Sequence, residues 1–285
     1  MSEFKTRLHS VPSGGFLTDR DKDKKPILDV RELGIDFGGL TAVDDFTLTI
    51  GRTEIAGLIG PNGAGKTTVF NLLTSVYQPT RGSILINGMP TAGKSTHQVS
   101  RMGIARTFQN IRLYNDMSVI DNVKVGMHNG IRENLLAAVT HGFGYRKAER
   151  QAEATALEML DFFGLADLAY AQAGSLPYGA QRRLEIVRAL ASGPLLLLLD
   201  EPAAGMNPSE TAELMENIRR IRDTFQIAIL LIEHDMNLVM GICEGICVLN
   251  YGKVIAKGSP ADIKANPTVI EAYLGKKGAK DDAEG

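Results

Sequence analysis

A glycine-rich stretch at residues 60–68 constrains the fold of this chain more than any other feature of its sequence. The stretch reads Gly-Pro-Asn-Gly-Ala-Gly-Lys-Thr-Thr. It follows the apolar run Ile55–Ile59 and precedes residues that favour a helix beginning near Lys66. A strand, a glycine-rich loop of this spacing and a helix form the pattern of a phosphate-binding loop, or P-loop. The sequence therefore predicts an α/β unit built around a bound phosphate group.

The residue types in this loop match the chemistry of phosphate binding. Glycines let the backbone approach phosphate oxygens, and the amides at the start of the next helix present partial positive charge. The Lys66 ammonium can reach the β- and γ-phosphates of ATP, and the Thr67 hydroxyl can ligate Mg²⁺. The alternative, a chance glycine-rich turn, leaves the strand before it and the helix after it unexplained. We expect the whole loop to contact the nucleotide: Gly60, Pro61, Asn62, Gly63, Ala64, Gly65, Lys66, Thr67 and Thr68.

A second motif consists of two carboxylates that follow the apolar run Leu195–Leu199. Asp200, at the end of this predicted strand, can hold Mg²⁺ directly or through water. Glu201 is placed to polarise an attacking water and is the candidate general base. Such a pair standing alone is more often a solvated strand end. Together with the phosphate loop it predicts hydrolysis of ATP.

The remaining apolar runs predict a mostly parallel α/β sheet. Leu195–Leu199 and Ile227–Ile232 are continuously apolar, which is typical of strands buried on both faces. Asn207 is a good N-cap, with Pro and Glu at favourable positions after it, so a helix is expected there. Its apolar face would carry Leu214, Ile218, Ile221 and Phe225. Further strands are expected at Ile27–Leu33, Phe46–Ile50, Gly82–Gly88, Ile246–Leu249 and Val254–Ala256, with helices and no clear strand over 112–172.

Length and charge narrow the possible functions. The 285 residues suffice for one large domain or two small ones, and the net charge of −2 gives no support to a general nucleic-acid binder. The first residues lack the apolar core of a signal peptide, and no apolar run approaches the roughly 20 residues that span a bilayer. We therefore expect no membrane-spanning segment and no nucleic acid partner.

The two cysteines, Cys243 and Cys247, are too few for a disulfide framework, which favours a reducing compartment. Their spacing would suit a metal site. No second Cys or His pair lies nearby in the sequence, so two buried core cysteines are the favoured interpretation.

The segment Leu176–Arg183 resembles a motif of a known protein family. It reads Leu-Pro-Tyr-Gly-Ala-Gln-Arg-Arg, lies ahead of the acidic strand and opens a predicted helix. It resembles the signature motif of ATP-binding cassette (ABC) proteins, usually written LSGGQ. Pro177 replaces the serine, Tyr178 a glycine and Ala180 the glutamine. Taken alone, the segment would be a simple helix-start turn.

Four other segments resemble the remaining motifs of ABC proteins, in the right order. Gln109 resembles the Q-loop glutamine, and His234 follows an apolar strand as the switch histidine does. Ala204–Asn207 occupies the place of the D-loop, with Asn207 where many members carry Asp. Phe37 lies where the family places the aromatic residue that stacks on adenine.

The resemblance covers residues 27–275 and implies a fold. That fold is α/β: a P-loop NTPase cassette with a RecA-like core, an antiparallel β subdomain and a helical subdomain inserted at about 112–175. The polar ends, residues 1–26 and 276–285, are expected to be disordered tails, with a docking arm as the less favoured alternative for the first.

The resemblance also implies how the site works. Two cassettes would face each other head to tail, each completing the other's ATP site with its signature segment. Glu201 would activate water, His234 would stabilise the γ-phosphate, and Gln109 would sense Mg²⁺ and the attacking water. The magnesium ligands would be Thr67, Gln109 and Asp200. The signature residues implied to contact nucleotide are Leu176, Tyr178, Gly179 and Gln181.

Within the family, the sequence is most similar to the LivG-type ATP-binding subunit of bacterial branched-chain amino acid importers. The segments that carry this likeness are 105–114, 176–186, 203–208 and 269–275. Expected partners are two transmembrane permease subunits, a second cassette (a paralogue or another copy of this chain) and, indirectly, an extracytoplasmic solute-binding protein. The expected location is the cytoplasmic face of the cell membrane.

Three other functions remain open at this point. A soluble ABC ATPase would act in repair, translation or cluster assembly, and a transporter subunit would serve another cargo such as urea, amides or lipopolysaccharide. A P-loop kinase or small GTPase would explain Lys66 and Asp200 but not the signature-like segment or His234.

Overall fold

A computed structural model describes residue 21 and residues 24–127 and 143–274. The chain divides into two compact units, Met1–Ile104 together with Leu195–Gly285, and Ala105–Pro194. Residues 1–20, 22–23 and 275–285, which include most of the two predicted tails, lie outside the described residues. Asp21 is described, and its carboxylate accepts hydrogen bonds from the Thr53 amide and hydroxyl. The predicted domain boundaries stay predictions.

The helices and strands follow in chain order. They are β1 (Leu28–Phe37), β2 (Leu40–Ile50), β3 (Ile55–Ile59), α1 (Lys66–Leu73), β4 (Arg81–Ile86), β5 (Met89–Pro90), α2 (Thr96–Arg101), β6 (Ile104–Arg106), α3 (Val119–Met127), α4 (Phe143–Phe162), α5 (Tyr178–Leu190), β7 (Leu196–Asp200), α6 (Pro208–Phe225), β8 (Ala228–Ile232), α7 (Met236–Ile242), β9 (Gly245–Asn250), β10 (Lys253–Gly258), α8 (Pro260–Lys264) and α9 (Pro267–Leu274).

The first unit contains a four-stranded sheet in the order β2-β1-β4-β5. Its strands are antiparallel, and the central strand β1 places Leu28 opposite both Ile50 of β2 and Ile86 of β4. The pair Gly38-Gly39 joins β1 to β2 with positive φ at both residues, the geometry of a tight hairpin turn.

A larger sheet, in the order β10-β9-β3-β8-β7-β6, carries the phosphate loop. Its strands β9, β3, β8 and β7 run parallel to one another, while β10 is antiparallel to β9. Every residue of β3, β7 and β8 is buried. Continuous apolar sequence in these strands is what burial of both faces requires. The predicted α/β fold with a mostly parallel sheet is confirmed.

One core of buried side chains within the first unit connects both sheets and α1. Leu33 and Phe46 from the antiparallel sheet, Leu58 and Leu198 from the parallel sheet and Phe70 from α1 belong to it, each fully buried. Burial of each such side chain contributes about 1.5–3 kcal/mol, so this core fixes α1, and with it the loop before α1, against the sheet.

The second unit is helical. Helix α3 packs against α5, and the approach is close because residue 126 is Gly: a Cβ there would lie 2.3 Å from the Arg188 carbonyl oxygen. Over 112–127 and 143–172, the described part of the segment predicted to lack strands, only an isolated bridge between Ser118 and Gln172 forms. The helical prediction for these residues is confirmed.

Several boundaries differ from the sequence expectations. Strand β1 extends to Phe37, beyond the predicted end at Leu33. Its pairing with β2 shifts register after Val30 and after Leu33, so the strand continues although buried and exposed side chains no longer alternate there. The short strands β5 and β6 have too little sequence to show periodicity. On α6, Leu214, Ile218 and Ile221 are buried as predicted, whereas Phe225, at the last turn, is 37% exposed.

Replacing Asn207 by Ala should lower the free energy of unfolding by about 1 kcal/mol. Asn207 caps α6, because its side chain accepts the amides of Ser209 and Glu210 while the Glu210 side chain accepts the Asn207 amide. The shift in a urea unfolding midpoint measures the loss. The control is Ser209→Ala, two residues further along the helix and exposed, which should change stability by less than about 0.5 kcal/mol. Equal losses for the two variants would contradict the cap.

Candidate functional site

The phosphate loop requires glycine at two positions for reasons of space. Gly60 has a φ of 151° and a Cβ there would lie 2.0 Å from the Leu249 carbonyl oxygen. Gly65, the N-cap of α1, has a φ of 103° and a Cβ there would lie 2.9 Å from the Ala42 carbonyl oxygen. Side chains at either position would push the loop off β9 and β2. Both glycines therefore hold the loop close to the sheet.

The loop exposes backbone donors at the start of α1. Ala64 donates to the Pro61 carbonyl, and Val69 begins the helical ladder by donating to Gly65. Within the described part of the chain, the amides of Gly63, Gly65, Lys66 and Thr67 have no hydrogen-bond acceptor, and no side chain caps α1. Unpaired amides at a helix N-terminus fit a phosphate group.

Lys66 lies inside the loop as the sequence predicts. Its ammonium donates to the carbonyl oxygens of Gly60 and Pro61, at 2.6 and 3.0 Å. Burial lowers the pKa of Lys66, and the negative charges of Glu201 and Asp200 oppose that shift. The lysine and both acids therefore share one electrostatic environment, which is suited to a ligand that carries both phosphate and a divalent cation.

Asp200 and Glu201 stand at the carboxyl end of β7. Asp200 is 4% exposed and Ile232 of β8 lies opposite it in the parallel register. Glu201 has a φ of 46°, the left-handed region, and its amide donates to the Ile232 carbonyl. That conformation costs a non-glycine residue about 1 kcal/mol or more. It directs the chain sharply away from the strand immediately after Asp200.

His234 follows β8 and is the exposed member of the site. Its Nδ1 lies 3.9 Å from a Glu201 carboxylate oxygen and 3.7 Å from a Glu233 carboxylate oxygen. Lys66, Asp200, Glu201 and His234 are thus brought together at one edge of the parallel sheet. They are the predicted site residues that the first unit collects around its loop.

Glu233 is a site residue that no sequence motif predicted. It is 1% exposed, and its carboxylate accepts the amides of Ala203, His234 and Asp235 at 2.8, 3.0 and 3.3 Å. It therefore ties the segment after Glu201 to the segment that carries His234. The sequence signal was an acid directly after a buried strand, but its partner at Ala203 is 30 residues away.

Phe37 lies at the end of β1 and is 42% exposed. Its ring packs edge-on against Tyr77, with 5.2 Å between the ring centroids. A partly exposed ring steadied at its edge is suited to stacking on a flat base. The role of Phe37 in adenine binding stays a prediction.

The C-terminal helix α9 contacts the phosphate loop through Tyr273. Burial raises the pKa of the Tyr273 phenol, and a hydrogen bond from the Gly60 amide opposes that rise. A cavity of about 390 Å³ is lined by Pro61, Asn62 and Ala64 of the loop and by Thr268, Glu271 and Ala272 of α9. The likeness at residues 269–275 predicted no contact for Tyr273, because nothing in a sequence pairs residues 60 and 273.

The second unit holds the other predicted site residues. Leu176 is buried, Tyr178 is exposed at the first position of α5, and Gly179 follows it. The Gln181 side chain donates to the Leu176 carbonyl at 2.8 Å, which folds the segment over the start of α5. Gln109 is exposed, and its carbonyl accepts a hydrogen bond from Arg182 at 2.9 Å.

The cysteines behave as core residues. Cys243 and Cys247 are buried free thiols. Burial raises the pKa of Cys243, and it raises that of Cys247 to about 11. Over 24–127 and 143–274, no group of three or more His, Cys, Asp or Glu side chains is arranged to hold a metal ion by itself. In the same ranges no helix is long and apolar enough to cross a membrane.

Removing the Glu233 carboxylate should destabilise the fold by about 3 kcal/mol, because Glu233→Ala leaves one buried amide and two partly buried amides without their acceptor. Urea unfolding measures the change. The control is Glu216→Ala, which breaks an exposed ion pair with Arg219 and should cost less than about 1 kcal/mol. Similar values for the two variants would show that Glu233 does not carry this connection.

Two models of protein families match this chain. Residues 43–204 match the family model described as "ABC transporter", and residues 253–279 match "Branched-chain amino acid ATP-binding cassette transporter". The chain is 46% identical over 252 residues to the high-affinity branched-chain amino acid transport ATP-binding protein BraF of Pseudomonas aeruginosa, covering 88% of this chain and 99% of that protein.

Two further proteins extend the comparison. The chain is 48% identical over 252 residues to LivG of Escherichia coli K12, a protein of the same description, again covering 88% and 99% of the two chains. The ADP conformation of MJ1267, an ATP-binding cassette of an ABC transporter, superposes with a TM-score of 0.77 at 27% identity, covering 89% of this chain and all of that one. The predicted fold and family are confirmed: this chain belongs to the ABC transporter family and is one of its ATP-binding cassettes.

Proposed function

We propose that this chain is the ATP-hydrolysing subunit of a membrane importer for branched-chain, apolar amino acids. The observation that supports this choice of cargo is the match of residues 253–279 to a family model of branched-chain amino acid cassettes. Helix α9, which contacts the phosphate loop, lies within that segment. The two curated relatives that this chain matches over 99% of their length are both named for branched-chain amino acid transport, which supports the same cargo.

The first unit supplies the binding of ATP. The unpaired amides of the loop and the Lys66 ammonium would bind the β- and γ-phosphates, and the start of α1 would add its partial positive charge. Phe37 would stack on adenine. Lys66 is half-buried, so its attraction for phosphate is screened less than that of a surface lysine.

The residues present also fit Mg²⁺. A hard cation of this kind takes a few protein oxygens and completes its shell with phosphate oxygens and water. The buried Asp200 carboxylate and the Thr67 hydroxyl offer such oxygens, and Gln109 is the proposed third ligand. When bound, the ion would neutralise charge that develops on the phosphates.

Glu201 is the proposed general base. Its left-handed backbone aims the chain away from β7, and its carboxylate faces His234 across 3.9 Å. It would take the proton of the attacking water, while His234 would stabilise the γ-phosphate and Gln109 would orient that water.

The second unit would complete the ATP site of a second cassette, either a paralogue or another copy of this chain. Leu176, Tyr178, Gly179 and Gln181 surround the start of α5, where main-chain amides can meet a phosphate. Pro177 has no amide hydrogen and no hydroxyl, so Gly179 and the residues after it would carry this contact. ATP would close the pair and hydrolysis would reopen it.

Two transmembrane permease subunits and an extracytoplasmic binding protein complete the proposed assembly. The cassette would lie peripherally on the cytoplasmic face of the membrane, and the Gln109 region would transmit its motion to the permeases.

Purification from detergent-solubilised membranes tests this function. The chain should be recovered with two permease subunits and a second cassette, and leucine, isoleucine or valine with the cognate binding protein should stimulate ATP hydrolysis in liposomes. Stimulation by urea, or a purely cytosolic complex, would contradict the proposal.

Glu201→Gln should lower the rate of ATP turnover by about a hundredfold or more while leaving ATP affinity within a few-fold of the original, because only the base is lost. Steady-state phosphate release and equilibrium binding of a fluorescent ATP analogue measure the two quantities. Near-normal turnover would remove Glu201 from the role of base. Lys66→Ala is the contrasting control and should weaken binding itself.

A further inference from the structure

Helix α5 contains a buried ion pair that the proposed mechanism does not use. Arg182 and Glu185 stand one turn apart on the helix, with side chains 0% and 1% exposed and 2.9 Å between a guanidinium nitrogen and a carboxylate oxygen. An ion pair so far from water contributes little net stability compared with apolar residues of similar size. The role of this pair must therefore lie in the other groups that the two side chains contact.

Both side chains bind the backbone around Gln109. Arg182 donates to the carbonyl oxygens of Phe108 and Gln109, at 2.7 and 2.9 Å. Glu185 accepts the amides of Phe108 and Arg112, both at 3.3 Å. The pair therefore holds residues 108–112 by four backbone contacts, two at Phe108, one at Gln109 and one at Arg112.

Aromatic packing reinforces the same segment. The Arg112 guanidinium lies 4.0 Å from the centre of the Phe108 ring, and that of Arg106 lies 5.1 Å from it. Phe108 is thus held through its amide, its carbonyl and its ring. Gln109, by contrast, is exposed, so its backbone is held by α5 while the residue stays accessible from solvent.

We propose that Arg182 and Glu185 are positioning residues that fasten the Gln109 segment to helix α5, so that Gln109 and the signature-like segment Leu176–Gln181 move as one body. The inference rests on the proposed function, because it gives Gln109 and that segment their roles. It adds a connection: a phosphate that engages the start of α5 displaces Gln109 by the same movement. Events at one ATP site thereby change the magnesium and water ligand of the other.

Spin-label distances test the fastening without any need for catalysis. Labels would be placed at Asn110→Cys, which is exposed, and at Ala189→Cys, near the far end of α5; the native thiols are buried, and labelling of the parent chain checks that they stay unmodified. The distance distribution should be narrow and the same with and without ATP. In Arg182→Met/Glu185→Met, which leaves no lone buried charge, it should become about twofold broader. An unchanged distribution would overturn the fastening.

ATP turnover tests the functional consequence. The double variant should lose about tenfold in kcat with KM for ATP changed less than twofold, because the phosphate loop is untouched. Arg219→Met/Glu216→Met, an exposed pair at the same helical separation, is the matched control and should leave both constants unchanged. Loss confined to KM, or equal losses in the control, would contradict a positioning role.

Two outcomes are kept distinct by these measurements. If the double variant does not fold, Glu185→Gln keeps the side-chain volume and one acceptor oxygen, and it should broaden the distances and lower kcat in the same direction; no effect from it overturns the proposal. If the parent chain does not hydrolyse ATP, the proposed function fails, and the distance distribution still decides whether the pair fastens the segment.

Discussion

The parallel register of three buried strands is the constraint on which the site depends. Ile232 of β8 lies opposite Leu58 of β3 on one side and Asp200 of β7 on the other. The three strands therefore end at the same level. The phosphate loop, the two acids and the Glu233-His234 pair all begin within two residues of that level. Parallel sheets place ligands at this edge because the loops after the strands converge there.

Convergence at one edge also has a cost, and the structure shows how it is met. The site concentrates like charges from Asp200, Glu201 and Glu233 beside one half-buried ammonium, that of Lys66. Glu233 is stabilised by three backbone amides, and the charges of Asp200 and Glu201 favour the protonated form of Lys66. The left-handed backbone of Glu201 adds strain that the fully buried strand behind it can sustain.

Local sequence predicted the elements whose cause is local. The loop, the buried strands, the acid pair and the capping box at Asn207 each depend on a few adjacent residues, and all were found where expected. What the sequence left out depends on distant partners. Glu185 meets Phe108 across 77 residues and Glu233 meets Ala203 across 30, and neither separation follows from periodicity. Buried charges at apolar positions of α5 and after β8 were the available signal, and their partners came only with the fold.

The helices of this chain differ in whether a side chain caps their N-terminus. A helix N-terminus leaves amides without partners, and a side chain usually satisfies them. Only α1 and α5, of the α-helices whose N-caps are described, begin without such a side chain. These are the two helices proposed to meet phosphate, and their N-caps are Gly65 and Pro177, neither of which has a hydroxyl. A capping side chain would compete with the phosphate for the same amides, whereas Pro177 has no side-chain acceptor and would leave the amides of α5 open to the proposed ligand. The remaining helices with described N-caps are capped by Ser95, Asn207, Asp235 and Ser259.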